Sequence, residues 1–260
     1  MNLELIENNP KLIKGKQPIL FIHGMWHGAW CWESNFLSYF EELGYKGYAL
    51  SFSNHANSAR RKAFNLLRIS DYVADLKETI DRFDIKPILI AHSMGGFVVQ
   101  KYLEKHKLPG VVLLSTVPPF GIWNPTFNVL RTFPFAFLKA NLTLNLKHII
   151  GTAQKYKKLL CSDAISDESI TTYYHKTDTE SFLAYIDMLG LNLVKSKKIK
   201  SPLLMIRGEN DHVISEKIFN KTCKLYGVTP IVFEEMGHNI MLEPNYKLLV
   251  HYIEKWITEL

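Results

Sequence analysis

The chain has 260 residues, 47% of them apolar and 22% charged, with a formal net charge of +6. That size is most simply one domain with room for an insertion and a large core, and the balance is that of an ordinary globular protein. The positive charge comes without an arginine-rich block or an aromatic-basic ladder, which argues against nucleic acid as a partner, and no apolar run reaches the roughly 18 residues of a stable membrane span.

Leu3 to Glu7 alternates weakly and predicts a first edge strand. Asn8-Asn9-Pro10 is turn chemistry, and Lys11 to Lys16 is read as a second short strand. Pro18-Ile19-Leu20-Phe21-Ile22 is a continuous apolar run, the signature of a strand buried on both faces. It ends in His23-Gly24-Met25-Trp26-His27-Gly28. A helix is predicted from Trp30 to Leu43, stopped by Gly44, then a strand from Tyr45 to Phe52 and an irregular polar stretch from Ser53 to Arg68. Ser70 is the expected cap of an amphipathic helix with Tyr72, Val73, Leu76, Ile80 and Phe83 on one face. Ile85 to Ala91 is a strand, Met94 to His106 a helix and Val111 to Ser115 a further strand. This alternation predicts an α/β fold, a mostly parallel sheet with helices on both faces.

The rhythm breaks at Val117-Pro118-Pro119. Residues 117–194 show no strand pattern but carry aromatics and lysines, with helix starts at Ser166-Asp167-Glu168 and Asp178-Thr179-Glu180. The expected organisation is a core of residues 1–116 and 195–260 with a helical lid, 117–194, inserted after the sixth predicted strand. Lys195 to Lys200 is the return linker, Leu203 to Ile206 resumes the sheet, Ser215 to Tyr226 is a helix, Ile231 to Phe233 the last strand and Tyr246 to Trp256 the closing helix. Cys31, Cys161 and Cys223 are too few and scattered for a disulfide framework and fit a reducing compartment. With no signal-peptide pattern in the first sixteen residues, a cytoplasmic location is expected.

The chemistry gathers at three loops. The run Pro87 to Ala91 stops at His92-Ser93-Met94-Gly95-Gly96, which reads as a buried strand turning sharply into a helix with Ser93 at the apex. Arg207-Gly208-Glu209-Asn210-Asp211 places acids after the next-to-last strand, and Met236-Gly237-His238 places a histidine after the last. In a parallel sheet these loops share one edge, so Ser93, Asp211 and His238 converge although far apart in sequence. Taken singly, Ser93 is compatible with a capping serine, Asp211 with a helix cap beside the rival acid Glu209, and His238 with a structural loop histidine.

In their order, Ser then acid then His, these motifs resemble the α/β-hydrolase-fold serine hydrolases over essentially all of the chain outside the insertion. Ala91 stands where relatives usually carry glycine, and Phe52 to Ser58 replaces a glycine-rich turn. His23-Gly24-Met25-Trp26-His27-Gly28-Ala29-Trp30 also resembles the methylesterase and hydroxynitrile-lyase branch. The resemblance implies a nucleophile Ser93, a base His238 and an orienting Asp211, with an oxyanion hole from the backbone N–H groups of Met25 and Met94. Trp26, His92, Trp123, Phe127 and Val213 are the expected substrate pocket, and His23 is expected to brace the oxyanion loop. The implied reaction is hydrolysis of a carboxylic ester with an apolar acyl or alkyl group through an acyl-enzyme on Ser93, with no cofactor and no metal. Two alternatives are a lyase or carbon–carbon-cleaving member of the same fold, and a non-catalytic small-molecule binder. Met236 to Leu242 lacks the lysine often found near the histidine of hydroxynitrile lyases, which counts against the former. Lys139, Lys147, Lys155, Lys157 and Lys158 make the lid basic, which is compatible with peripheral contact with anionic lipid.

Overall fold

Apolar runs become the strands of one seven-stranded sheet. The structure, a computed structural model, describes residues 2–12 and 17–260. Strands β1 (Leu5–Glu7), β2 (Ile19–Ile22), β3 (Gly47–Leu50), β4 (Ile88–His92), β5 (Val111–Leu114), β6 (Leu203–Gly208) and β7 (Ile231–Phe233) lie in the order β1-β3-β2-β4-β5-β6-β7. Only β1 runs antiparallel, against β3. β2, β4 and β5 are buried at every position, as strands with helices over both faces must be. The strand expected at 11–16 falls mostly on residues 13–16, which lie outside the described residues; Lys11 and Leu12 form a bend.

The first helix is not continuous. It comprises α1 (Trp30–Trp32), a wide π turn at Glu33–Leu37 and α2 (Ser38–Glu42). α3 (Ile69–Ile80) starts two residues earlier than expected, so Ser70 is not its cap. Carboxylates take that role. Asp71 accepts from the Arg68 N–H at 2.8 Å, and Asp187 accepts from the Ile69 N–H at 3.1 Å. Negative charge at a helix start satisfies the orphan N–H groups and complements the dipole, so no hydroxyl is required.

α4 (Ser93–Leu103) follows β4 directly. Between β5 and β6 the chain forms helices: α5 (Trp123–Thr132), α6 (Pro134–Thr143), α7 (Ala153–Leu160), α8 (Asp167–Lys176) and α9 (Phe182–Ile186), with shorter turns between. Ser166 caps α8, accepting from the Ser169 N–H, whereas the cap of α9 is Ser181, one residue beyond the expected Asp178-Thr179-Glu180 start. α10 (Glu216–Tyr226) and α11 (Tyr246–Thr258) complete the fold. Among the described residues no helix is long and apolar enough to cross a membrane.

Alternation along β2 divides the core. Ile19 and Phe21 face one side, where Phe21 packs on Trp32, Phe36 and Phe40 at ring-centroid distances of 5.3, 6.2 and 5.6 Å. Leu20 and Ile22 face the other, in a continuous core with Tyr72, Phe97, Ile150, Tyr156 and Met188. Burying each such side chain contributes about 1.5–3 kcal/mol. The second core therefore joins the sheet to the segment between β5 and β6. The connections reverse direction about β4, and crevices at such a reversal, beyond the carboxyl ends of the strands, are where open parallel sheets bind ligands.

Candidate active site

Ser93 stands where β4 passes into α4 without a loop. Its φ is 50°, a left-handed conformation rare for a residue with a side chain and costly by about 1–3 kcal/mol. Close packing holds it there. Ile22 pairs with Ala91 in parallel register, so His23-Gly24 runs beside His92-Ser93. A Cβ on Gly95 would lie 2.3 Å from the His23 carbonyl oxygen, which is why the second position after Ser93 is glycine. The Ser93 carbonyl accepts from the Val117 N–H at 3.1 Å.

Three loops from different strands meet here. His238 Nε2 lies 3.0 Å from Ser93 Oγ, and His238 Nδ1 lies 3.0 and 2.9 Å from the two carboxylate oxygens of Asp211. Asp211 also accepts from the N–H groups of Val213 and Ile214, each at 2.8 Å. All three side chains are buried. Burial pushes the Asp211 carboxyl up, but His238 and the two backbone donors outweigh it and hold it below the usual carboxylate value. The rival acid Glu209 is exposed and accepts from the Glu235 N–H. Arg207 donates to the carbonyls of Glu209 and Asp211 at 3.2 and 3.4 Å, fixing the acid loop from below.

The histidine loop is fastened by Glu243, a residue that no sequence motif singles out. Its buried carboxylate accepts from the Gly237 N–H at 2.9 Å, from the Ser162 N–H at 2.9 Å and from Ser162 Oγ at 2.6 Å. His92 Nε2 lies 2.9 Å from the His238 carbonyl. A carbonyl only accepts, so the proton is on Nε2. Burial, then the neighbouring His238, hold the His92 pKa well below the ordinary histidine value, and the ring is neutral.

The loop after β2 is held by two further neutral histidines. His23 Nδ1 lies 2.8 Å from the Gly24 carbonyl, and its Nε2 accepts from the Phe52 N–H at 3.1 Å. His27 Nδ1 lies 2.7 Å from the Met25 carbonyl and carries the proton, so its Nε2 accepts from the Tyr156 hydroxyl at 3.0 Å. Asn239 Nδ2 in turn donates to Tyr156 Oη at 2.8 Å. Burial pushes the pKa of His27 down to about 4. Tyr156, on α7, thus links the Met25 peptide to the residue after His238. Nothing local in a lysine-rich helix announces that role. Met94 is the second residue of α4, so its N–H is among the first-turn donors that have no partner within the helix.

Above Ser93 lies a cavity of about 690 Å³ between atoms, its open mouth included. Trp26, His92 and Val213 line it, together with Met25 and, from the helical segment, Ile122, Val129, Ile149 and Leu160. Its lining includes no Asp, Glu, Lys or Arg among the described residues. Trp123 and Phe127, expected in the lining, do not reach it; they are 67% and 57% exposed. The cavity face of α5 is set by Ile122, Pro125, Thr126 and Val129 at helical spacing, which turns positions 123 and 127 outward.

A family model described as the alpha/beta hydrolase family matches residues 19–248. The chain is 30% identical over 110 residues to a non-heme chloroperoxidase, CPO-A1, of Kitasatospora aureofaciens, covering 41% of this chain and 39% of that protein. It is 31% identical over 120 residues to methyl jasmonate esterase 1 of Vitis vinifera, covering 45% and 44%. These matches span about four-tenths of each relative's length. Among solved structures, the monoacylglycerol lipase of Paleococcus ferrophilus superposes with a TM-score of 0.72 at 18% identity, over 100% of this chain and 99% of that one.

Proposed function

The chain belongs to the alpha/beta hydrolase family, and from that premise we propose that it is a serine hydrolase cleaving a carboxylic ester with an apolar acyl or alkyl group. The observation that carries this reading is the buried hydrogen-bonded line Asp211–His238–Ser93 beneath a cavity whose described lining includes no Asp, Glu, Lys or Arg. The likeness to a methyl jasmonate esterase supports an ester as the substrate.

Ser93 Oγ attacks the ester carbonyl carbon as His238 Nε2 takes its proton. Asp211 keeps the imidazole in the tautomer whose Nε2 is free, and stabilises the imidazolium. The oxyanion is received by the N–H groups of Met25 and Met94; one such donor is typically worth about 3–4 kcal/mol in the transition state. The imidazolium returns its proton to the leaving alkoxide, which departs as the alcohol and leaves an acyl group on Ser93. Water, deprotonated by His238, then releases the acid and restores Ser93. Residues 117–194 act as a lid over a core of 1–116 and 195–260, and the apolar part of the substrate lies against Ile122, Val129 and Ile149. The three unpaired cysteines favour a reducing compartment such as the cytoplasm.

A fluorophosphonate probe tests this directly. The expected outcome is one covalent adduct on Ser93 that disappears in Ser93→Ala, with p-nitrophenyl ester hydrolysis lost in the same variant. A folded wild-type chain that stays unlabelled at Ser93 overturns the reading.

A further inference from the structure

Two consecutive helices between β5 and β6 carry six large apolar side chains outward. On α6, Ala136, Ala140 and the cavity-lining Phe137 face the interior, while Phe135, Leu138 and Leu142 are 86%, 56% and 76% exposed. Three of its four large apolar residues are therefore exposed, against the ordinary pattern in which the large residues are buried and small ones tolerate exposure. On α5, Trp123, Phe127 and Leu130 point away from the cavity. With Leu144, seven of the seventeen exposed large apolar side chains among the described residues fall within 123–144. A patch of this kind marks a surface that is covered in use.

Charge identifies what covers it. From Val111 to Ser162 the sequence contains six Lys or Arg and no Asp or Glu. The other twenty-five basic residues are matched by the twenty-five acidic ones, so this segment carries the whole net charge of the chain. Arg131 extends the outward stripe of α5 and Lys139 that of α6. Lys155 and Lys158 sit 6.0 and 5.8 Å from the ring centre of Phe133, at the junction of the two helices. Among the described residues none of these four is in an ion pair, whereas Lys157 is paired with Asp167. A second copy presenting the same face would set these cations against one another. Aromatic and aliphatic side chains rimmed by unpaired cations suit a surface that is apolar beneath and anionic on top.

We propose that the α5–α6 face docks the protein on anionic lipid bilayers. Phe135, Leu138, Leu142, Trp123 and Phe127 enter the headgroup–acyl boundary, and Arg131, Lys139, Lys155 and Lys158 lie at the phosphates. The opposite side of α5 lines the cavity over Ser93, so docking brings that cavity next to the membrane. Docking does not depend on the hydrolytic reading, because it uses no residue of the Ser93 site.

The test is co-sedimentation of the full chain with phosphatidylcholine vesicles, with and without phosphatidylglycerol, at low and high salt. Binding is expected only to the anionic vesicles and is expected to weaken with salt. Trp123 emission is expected to be quenched by brominated lipid, with the quenching lost in Trp123→Phe. Ser93→Ala is expected to bind as wild type does, which separates this proposal from the catalytic one. Leu138→Ser/Leu142→Ser and Arg131→Glu/Lys139→Glu each change exposed positions and are each expected to weaken binding about tenfold or more, with hydrolysis of a short soluble ester unchanged. Absence of vesicle binding by the folded chain overturns the proposal, as does binding that both double variants retain. A solution dimer that Leu138→Ser/Leu142→Ser dissociates also overturns it, by making the face a self-association surface.

Discussion

Asp211 divides one carboxylate among three donors, the His238 Nδ1–H and the N–H groups of Val213 and Ile214. Asn at this position keeps the shape but loses the charge that stabilises an imidazolium and part of the acceptor capacity. We expect Asp211→Asn to lower kcat about 10⁴-fold with the circular-dichroism spectrum preserved; a loss under about tenfold would assign the acid to another residue. Tyr156 makes a subtler case. Tyr156→Phe removes the hydroxyl that His27 Nε2 and Asn239 Nδ2 share and leaves only their direct contact, at 3.3 Å, a cost of about 1 kcal/mol. If the Met25 N–H receives the oxyanion as proposed, His27, held to the Met25 carbonyl, positions it, and the expected result is kcat lowered about tenfold with KM nearly unchanged, whereas a purely structural role would lower only the melting temperature. Ser93, Asp211 and His238 were legible in the sequence because each sits in a short motif after a recognisable strand. Tyr156 and Glu243 were not, because the partners of Tyr156 and the Ser162 partner of Glu243 lie more than 75 residues away and only the fold brings them together.

Helical phase explains what was misread among the elements. Aromatic content suggested that Trp123 and Phe127 face the substrate, but composition does not fix which side of α5 turns inward, and packing gave that side to Ile122 and Val129. The start of α3 was misplaced for a similar reason, since its capping carboxylate Asp187 comes from 118 residues along the chain. A second link between the same regions is titratable. His55 Nε2 lies 3.1 Å from Glu180, whose carboxylate also accepts from the Tyr72 hydroxyl and the Ser181 N–H, both at 2.7 Å. His23 packs on His55 with ring centres 5.0 Å apart. Burial alone would depress the His55 pKa, but Glu180, the Ser53 carbonyl and Asp178 outweigh it and raise the pKa above the ordinary value. A raised folded-state pKa stabilises the protein fully below the ordinary histidine pKa, and that stabilisation is lost as pH rises through the raised value. The melting temperature of wild type should therefore exceed that of His55→Gln most at about pH 6 and less at about pH 8. A difference that stays constant or grows with pH would contradict a protonated His55 in the folded state.

At the scale of the molecule, the alternation of strands and helices made the sheet legible, but its relation to residues 117–194 was not. The sequence suggested one domain with a helical insertion at 117–194, without showing how the insertion packs on the sheet. In the fold the two share one apolar cluster, in which Ile150 and Tyr156 of the inserted segment are as completely buried as Leu113 of the central sheet. Asp187 and Glu180 add ionic links from that segment to α3 and to the loop after β3. Residues in one continuous core melt together, because neither part keeps its apolar surface covered when the other opens. Differential scanning calorimetry should then show one transition. Ile150→Ala and Leu113→Ala, each expected to cost about 2–5 kcal/mol, should both lower it, by roughly 5–15 °C, with its cooperativity unchanged. If residues 117–194 instead form a unit that opens separately, two transitions will appear, and each substitution will move only the one to which its own segment belongs.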